Sequence, residues 1–212
     1  PGMIKHKNIE GEDNMVTIDD RTIIGDANPV NTGGFTINSR IYNFDLSAFF
    51  NWSYGNDIYN ANKIEYTTSS QRYQYRNLIT MMEDGERWTN IDKETGTLIN
   101  DPETLNALNA NATMWSPYMS KYVFSDWAVE DGSFLRLGTL TLGYTLPSNL
   151  TDKINIQNLR FYVTGYKVFI LTTYTRFYPE VSTRRKTALN PGVKYFAYPR
   201  SRQIVFGLNL NF

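Results

Sequence analysis

The chain has 212 residues, with 21 basic against 21 acidic side chains and no cysteine. It lacks the basic excess of a dedicated nucleic-acid binder and the polybasic attraction of a protein docked on anionic lipid, and without thiols it forms no disulfide or Cys-ligated metal site. Aromatic residues reach 15%, yet the mean hydropathy is −0.43; that pairing fits a transmembrane β-barrel, whose strands have one lipid face and one wet face, and equally a soluble β-sandwich.

From the N-terminus, Pro1-Gly2-Met3-Ile4-Lys5-His6-Lys7 carries no apolar signal-peptide core. No later run approaches the roughly 18 apolar residues of a transmembrane helix. A secreted membrane protein with this start is expected as a mature chain or a fragment. The single histidine, His6, sits among charges and reads as solvent-exposed. Strand-like alternation begins at 33–41, where Phe35, Ile37 and Ile41 alternate with Thr36, Asn38 and Arg40. A tight connection at 42–43 leads into 44–54. There Phe44, Leu46, Ala48, Phe50, Trp52 and Tyr54 share one face, and Asp45, Ser47, Asn51 and Ser53 the other. Residues 55–133 form a long excursion with local helix. Asp101 reads as an N-cap with Pro102 at the first helical position, ahead of Leu105 and Leu108. A second helix is expected within 69–84, with Tyr73, Leu78, Met81 and Met82 along one side.

The next strand spans 134–146. Leu140, Leu142, Tyr144 and Leu146 alternate with Thr139, Thr141, Gly143 and Thr145. Upstream, Phe134, Leu135, Arg136 and Leu137 break that parity, which predicts a bulge or a water-exposed strand end near Gly138. Pro147 opens a short link over 147–157. In 158–169, Leu159, Phe161, Val163 and Gly165 alternate with Arg160, Tyr162, Thr164 and Tyr166, and aromatics on both faces leave the lipid side open. A second long loop, 170–200, carries the basic run Arg184-Arg185-Lys186, which reads as a solvated tip, with lipopolysaccharide phosphates or a partner protein as the alternative. The last strand, 201–212, sets Ile204, Phe206, Leu208, Leu210 and Phe212 against Gln203, Val205, Gly207, Asn209 and Asn211.

Short and long connections therefore alternate along up-and-down strands, as in outer-membrane barrels with short periplasmic turns and long extracellular loops. A soluble sandwich rarely carries a roughly 80-residue loop. The expected fold is all-β. With the C-terminus on the periplasmic side, 201–212, 134–146 and 33–41 run inward, and 158–169 and 44–54 run outward. Residues 1–32, 55–133 and 170–200 then face outside, and Asp45, Asn51, Thr139 and Thr141 line a polar lumen. Five strands do not close a barrel, since small outer-membrane barrels have eight, and an open edge in hydrocarbon is costly. Further strands are expected from a longer chain.

Enzyme chemistry finds no foothold. GxSxG and HExxH motifs are absent. Asp126, Glu130 and Asp131 could be imagined as a glycosidase pair, but such a mechanism depends on a carboxylate separation that sequence does not give, and loop charge is the simpler reading. The outer loops are rich in aromatics: Trp88, Trp115, Tyr118, Tyr122, Trp127, Tyr174, Phe177, Tyr178, Tyr195 and Phe196. Such rings pack loops, anchor protein partners or stack on sugars. Trp88, Trp115, Trp127, Tyr174 and Tyr178 are the candidate contacts for a substrate or a lid protein.

Several spaced segments carry a family resemblance: Asp19-Asp20-Arg21-Thr22-Ile23-Ile24-Gly25, Asn28-Pro29, Gly33-Gly34-Phe35, Phe44-Asp45-Leu46-Ser47, and Tyr54-Gly55-Asn56-Asp57-Ile58-Tyr59-Asn60. Further on stand Asp131-Gly132-Ser133-Phe134-Leu135-Arg136-Leu137, Leu140-Thr141-Leu142-Gly143-Tyr144, Pro179-Glu180-Val181-Ser182, Pro191-Gly192-Val193, Tyr198-Pro199-Arg200-Ser201-Arg202 and Phe206-Gly207-Leu208-Asn209-Leu210-Asn211-Phe212. In this order they resemble the C-terminal part of SusC/RagA-family TonB-dependent outer-membrane transporters. The resemblance implies a large antiparallel barrel of about 22 strands with a plugged lumen, residing in a bacterial outer membrane of the Bacteroidota type. It implies import of oligosaccharides or peptides, TonB energy coupling and a SusD-like surface lipoprotein as lid. The plug and the TonB-contacting segment are not among these residues. The resemblance also implies that Ile204, Phe206, Leu208, Leu210 and Phe212 face lipid and serve as the strand that the barrel assembly machinery reads.

Many relatives carry an EF-hand-like loop before the Asp19–Gly25 stretch. Here its alternating ligands and central glycine are degraded. The oxygens of Asn8, Glu10, Glu12, Asp19 and Asp20 remain candidate calcium ligands, against a merely solvated acidic loop. No other cofactor is expected. Two competing readings stand beside import: a surface-exposed carbohydrate-binding β-domain, and a small structural membrane barrel with extra strands inside 55–133.

Overall fold

The computed structural model describes residues 2–10, 15–69, 77–119, 122, 124–175, 178–179, 191–195 and 200–212. The chain forms two compact units, one of Pro1–Ile24 with Asn60–Val129, the other of Gly25–Tyr59 with Glu130–Phe212.

The second unit is built on one antiparallel sheet. Its strands are β1 (Asn31–Ile41), β2 (Phe44–Tyr54), β5 (Phe134–Thr145), β6 (Asn158–Thr172) and β8 (Gln203–Asn211), in the spatial order β1-β2-β5-β6-β8. Three short strands, β3 (Asp57–Asn60), β4 (Val129–Asp131) and β7 (Val193–Lys194), form a separate sheet in the order β4-β3-β7. These three are too short to show alternation, so the residue pattern does not reveal them. Each strand of the large sheet pairs with its predecessor among the long strands, so the connections leave from alternate ends. At one end, Tyr42 and Asn43 join β1 to β2, with Ile41 opposite Phe44 and Tyr42 in the left-handed region at φ 53. At the same end, a helical turn α3 (Ser148–Thr151) and a 3-10 turn (Asp152–Ile154) join β5 to β6, closed by Asn155 at φ 54. The long connections, 55–133 and 173–202, leave from the opposite end.

The parity break near Gly138 is a bulge. Pairing with β2 steps between Phe49 and Phe50, and pairing with β6 steps between Leu137 and Thr139, leaving Gly138 out of register. On β6 the same step runs from Tyr166 to Phe169, with Lys167 at φ 54. The extra residues return Leu135 and Leu137 to the face of Leu140 and Leu142, because one inserted residue flips every later side chain.

The first unit has little regular structure. Its core holds Met82, Met114 and Trp115, with Ile4, Leu78, Ile79, Met119, Tyr122 and Trp127 packed against them. A short helix α1 (Ala61–Glu65) starts under the side chain of Asn60, which accepts from the Lys63 amide. The helix α2 (Pro102–Leu108) follows Asp101, whose carboxylate accepts from the Thr104 amide at 2.8 Å with Pro102 in the first turn. No residue of α2 is buried, so its cap and its C-terminal tie hold it. That tie is Asn109, which donates to Leu105 O and to Thr89 O and accepts from Thr89 N. The helix expected within 69–84 is not formed by the described residues there. Residues 70–76, Tyr73 included, lie outside them, and Thr80–Met82 is a single 3-10 turn that inserts Met82 into the core.

Candidate functional site: the two faces of the sheet

The register of the large sheet sorts its side chains into two faces. One carries the rows Ile37–Ala48–Leu140–Gly165–Ile204, Leu46–Leu142–Val163–Phe206 and Ile41–Phe44–Tyr144–Phe161–Leu208. Nothing among the described residues covers this face: Ile204 is 69% and Phe206 80% exposed. Aromatic groups mark its two ends. Phe35 stacks on Phe50 at 4.9 Å between centroids, with Trp52 and Phe169 nearby, at the end of the long connections. Phe44 packs on Tyr144 at 4.7 Å at the other end. From Trp52 to Phe44 is roughly 27 Å along the strand, which a barrel tilt reduces to about 20 Å across a membrane. An apolar band between aromatic rims has the shape of a lipid-facing surface.

The opposite face is polar. Asp45 on β2 and Arg160 on β6 form a two-pronged ion pair, Arg160 Nε donating to Oδ1 at 2.9 Å and Nη2 to Oδ2 at 2.5 Å. The pair reaches across β5 directly above Gly143, where a Cβ would collide with both the carboxylate and the guanidinium. Arg160 also lies 5.0 Å from the Tyr162 ring centre, and that ring covers Gly207, which leaves no room for a side chain. Along the same face Thr141 and Thr164 hydroxyls meet at 2.9 Å, and Arg136 Nε donates to Asn51 Oδ1 at 3.0 Å. Phe49, Phe134, Ile170 and Val205 are the apolar side chains in these rows. Asp45, Asn51, Thr139 and Thr141, the side chains expected to line a lumen, share this face. Sequence reasoning missed the Asp45–Arg160 pair and the role of Gly143, since the partners stand 115 residues apart.

At the end of the long connections, a hydrogen-bond cluster ties the loops of this unit together. Asn56 O accepts from Gly132 N, Asp26 and Asp57 exchange backbone and side-chain bonds, and Tyr59 N donates to Gly192 O. Asp131 accepts from Ser133 N and from Thr173 Oγ1, and these bonds, Ser133 first, lower its carboxyl pKa. Glu130 accepts from the amide and hydroxyl of Thr175. The three acids of the imagined glycosidase pair are thus divided: Glu130 and Asp131 staple the turn after β6, and Asp126 opens a 3-10 turn in the other unit.

The sequence-selected aromatics are placed differently from an open contact surface. Trp115, only 9% exposed, is a core residue of the first unit; it meets Trp127 edge-on at 4.5 Å and Tyr122 at 6.3 Å. Lys63 Nζ lies 4.3 Å over the Trp127 ring and donates to Trp127 O. Gly2 lies against the half-buried Trp88 ring. Tyr174, 5% exposed, is covered by Lys194, whose Nζ donates to Tyr178 O, while Tyr178 Oη donates to Arg200 O. Burying a large ring releases more free energy than leaving it in water, and Trp115, Trp127 and Tyr174 follow that rule by packing inward. Among the described residues of 55–133, Tyr118 and Phe124 are exposed rings. Phe177, Phe196 and Arg184-Arg185-Lys186 lie outside the described residues.

In the candidate calcium loop, Asp20 is held by backbone amides. Asp20 Oδ1 accepts from the amides of Ile9 and Glu10, and Oδ2 from Thr17, so both oxygens face N–H donors. These bonds, from Thr17 first, then Glu10 and Ile9, lower its pKa. Glu12 lies outside the described residues. Among the described residues no cluster of three or more His, Cys, Asp or Glu could hold a metal, and no helix is long and apolar enough to cross a membrane.

No family model matches the chain. It is similar along 100% of its length to TonB-dependent receptor P3 and TonB-dependent receptor P39 of Formosa agariphila, with 30% and 31% identity, and it spans 19% of each relative's length. Among solved structures it resembles the RagAB peptide importer in the closed-closed state, with 25% identity and a TM-score of 0.67 over 93% of this chain and 19% of that one. It also resembles the RagAB peptide transporter, with 26% identity and a TM-score of 0.66 over the same shares. The chain belongs to the SusC/RagA-like TonB-dependent receptors of the outer membrane and matches the C-terminal part of those transporters.

Proposed function

We propose that the chain supplies wall and external loops to an outer-membrane importer of oligosaccharides or peptides. The observation that carries this reading is the division of one sheet into an uncovered apolar face and a hydrogen-bonded polar face. Such a sheet is stable where lipid meets one side and water the other. The sheet has two edge strands, β1 and β8. Each needs a partner in hydrocarbon, because unpaired backbone groups there cost several kcal/mol apiece. Strands from the rest of a longer chain, about 22 in all, would pair with these edges and close the barrel. The short connections then lie at the periplasm and the long ones outside. Substrate would enter from outside beneath a SusD-like lipoprotein and pass the polar wall when TonB displaces a plug carried elsewhere in the chain. RagAB, a solved neighbour, is a peptide importer, which supports peptide as one of the two cargo classes.

Uptake by cells carrying the full-length chain tests this. Labelled oligosaccharides and labelled peptides are offered in parallel, with TonB present or depleted. One class is expected to accumulate, and to stop on TonB depletion. Uptake of both classes that is unchanged by deleting the chain or depleting TonB would remove the import reading and favour a surface binding domain.

A further inference from the structure

On the apolar face, at the end of the long connections, the sheet carries a concavity of ≈ 790 Å³ whose lining includes Trp52, Tyr54, Leu135, Leu171, Asp131 and Thr173. Trp52, Leu135 and Leu171 stand in one register row across β2, β5 and β6. The local sequence opens this space. Trp52 Nε1 donates to Asn31 Oδ1 at 2.8 Å, and the Trp52 ring lies over Gly33, where a Cβ would collide with it. Asn31 and Gly33 both belong to β1, so the ring is drawn toward β1 and off Leu135 and Leu171. Leu171 and Tyr54 are each 60% exposed. Beyond this apolar floor the rim turns polar. Asp131 accepts from Ser133 N and from Thr173 Oγ1, both neutral donors. No Lys, Arg or His lines the concavity, so the charge of Asp131 is unmatched there. Floor and rim come from β2, β5, β6 and the turns beyond them, the inner strands of the sheet, so strands that pair with β1 and β8 leave them uncovered.

We propose that this concavity seats a phospholipid with an ammonium headgroup, of the ethanolamine type, from the leaflet at the end of the long connections; the proposal rests on the reading that the apolar face meets lipid. The concavity is continuous with that face, so its floor takes acyl chain as the rows beside it do. Charge selects the headgroup. An anionic lipid would bring a second negative charge beside Asp131 with no base to answer it. An ammonium group pairs with the carboxylate, and the Trp52 and Tyr54 rings add the aromatic surface that attracts cations. Ser133 Oγ, which accepts from Gly55 N, keeps its own hydrogen to donate to a phosphate oxygen. The apolar rows inward of the concavity carry no charged side chain, so the headgroup preference belongs to this end alone.

The test uses the full-length transporter in nanodiscs of phosphatidylethanolamine and phosphatidylglycerol, equimolar and with the same acyl chains. Phe169→p-benzoylphenylalanine puts a photoprobe on β6 one row inward of the concavity, and Phe161→p-benzoylphenylalanine puts one toward the far end of the same face. After irradiation, lipid adducts are identified by mass spectrometry. At Phe169 the ethanolamine lipid is expected several-fold over the glycerol lipid, and at Phe161 the two are expected in the ratio of the bilayer. Asp131→Asn, which removes the charge and keeps an acceptor oxygen, should bring the Phe169 ratio to that of Phe161. The same ratio at both positions in the chain that retains Asp131, or enrichment of phosphatidylglycerol at Phe169, overturns the proposal and leaves the lipid-facing reading intact; neither result depends on the folding of the Asp131 variant. A preference at Phe169 that survives Asp131→Asn overturns recognition of the headgroup by this carboxylate. No lipid adduct at either position overturns the lipid-facing reading itself.

Discussion

The Asp45–Arg160 pair allows a prediction whose sign depends on a third residue. A Cβ on Gly143 would lie under 3.0 Å from Arg160 Nη2 and from both Asp45 oxygens. Gly143→Ala therefore drives the two side chains apart. The pair is partly exposed, with side-chain accessibilities of 25% and 33%, and it faces a wet surface. An exposed pair contributes about 0.2–1 kcal/mol, and two-pronged, charge-assisted geometry places this one near the top of that range. Against the loss stands a gain: alanine within a strand is favoured over glycine by roughly 0.5–1 kcal/mol, because glycine loses more backbone freedom on folding. In the native background the clash and the broken pair outweigh that gain, so Gly143→Ala destabilises. In an Asp45→Ala background the obstacle is gone on one side and Arg160 can swing clear. There Gly143→Ala becomes neutral or stabilising. The coupling between the two substitutions is expected at about 0.5–1.5 kcal/mol. Guanidinium titration of the full-length barrel in lipid vesicles, followed by tryptophan emission, reads all four corners of the cycle. Equal effects of Gly143→Ala with and without Asp45 would refute the account of Gly143 as the clearance under the pair.

Two further outcomes follow from the geometry. Leu208→Arg places a cation on the apolar face and is expected to destabilise the full-length barrel in lipid by about 2–4 kcal/mol if it lies near the bilayer midplane; Asn209→Arg, one residue on and on the polar face, should cost far less, and equal costs would remove the assignment of the faces. The Asp20 staple sets a pH dependence: its pKa is lowered from 3.8 by three backbone donors, so its contribution is complete above the ordinary carboxylate range and is lost as pH falls through the depressed value. Hydrogen exchange at the Ile9, Glu10 and Thr17 amides should therefore stay protected down to about pH 4 and open only below it. Opening at pH 5–6 would show that another group holds this loop.

The sequence was most readable where one physical rule acted on a long run. Alternation placed the apolar residues of β8 and β2, because a period of two over nine or more residues puts one greasy face on a strand and would scatter the same residues around a helix. The bulge at Gly138 was visible as a break in parity, since the same face must stay apolar on both sides of it. The capping signal at Asp101-Pro102 located α2 although that helix buries nothing. The expected helix over 69–84 failed for the opposite reason. An apolar spacing shows that residues are buried together, not the backbone that buries them, and Met82 reaches the core from a 3-10 turn. The loop aromatics left packing, partner contact and sugar stacking open as readings, because ring content alone does not show which way a ring points. Trp115 and Tyr174 pack inward, Trp115 in the core of the first unit. The pairing of Asp45 with Arg160 depends on a register spanning three strands, which no local pattern encodes.

The two faces constrain each other. Gathering most apolar side chains on one face of the sheet gathers most hydrogen-bonding side chains on the other. On these strands the polar face answers with bonds that cross strands: Thr141 to Thr164, Arg136 to Asn51, Arg160 to Asp45. Each links a neighbouring or next-neighbouring strand and so stiffens the wall across its hydrogen-bonded ladder.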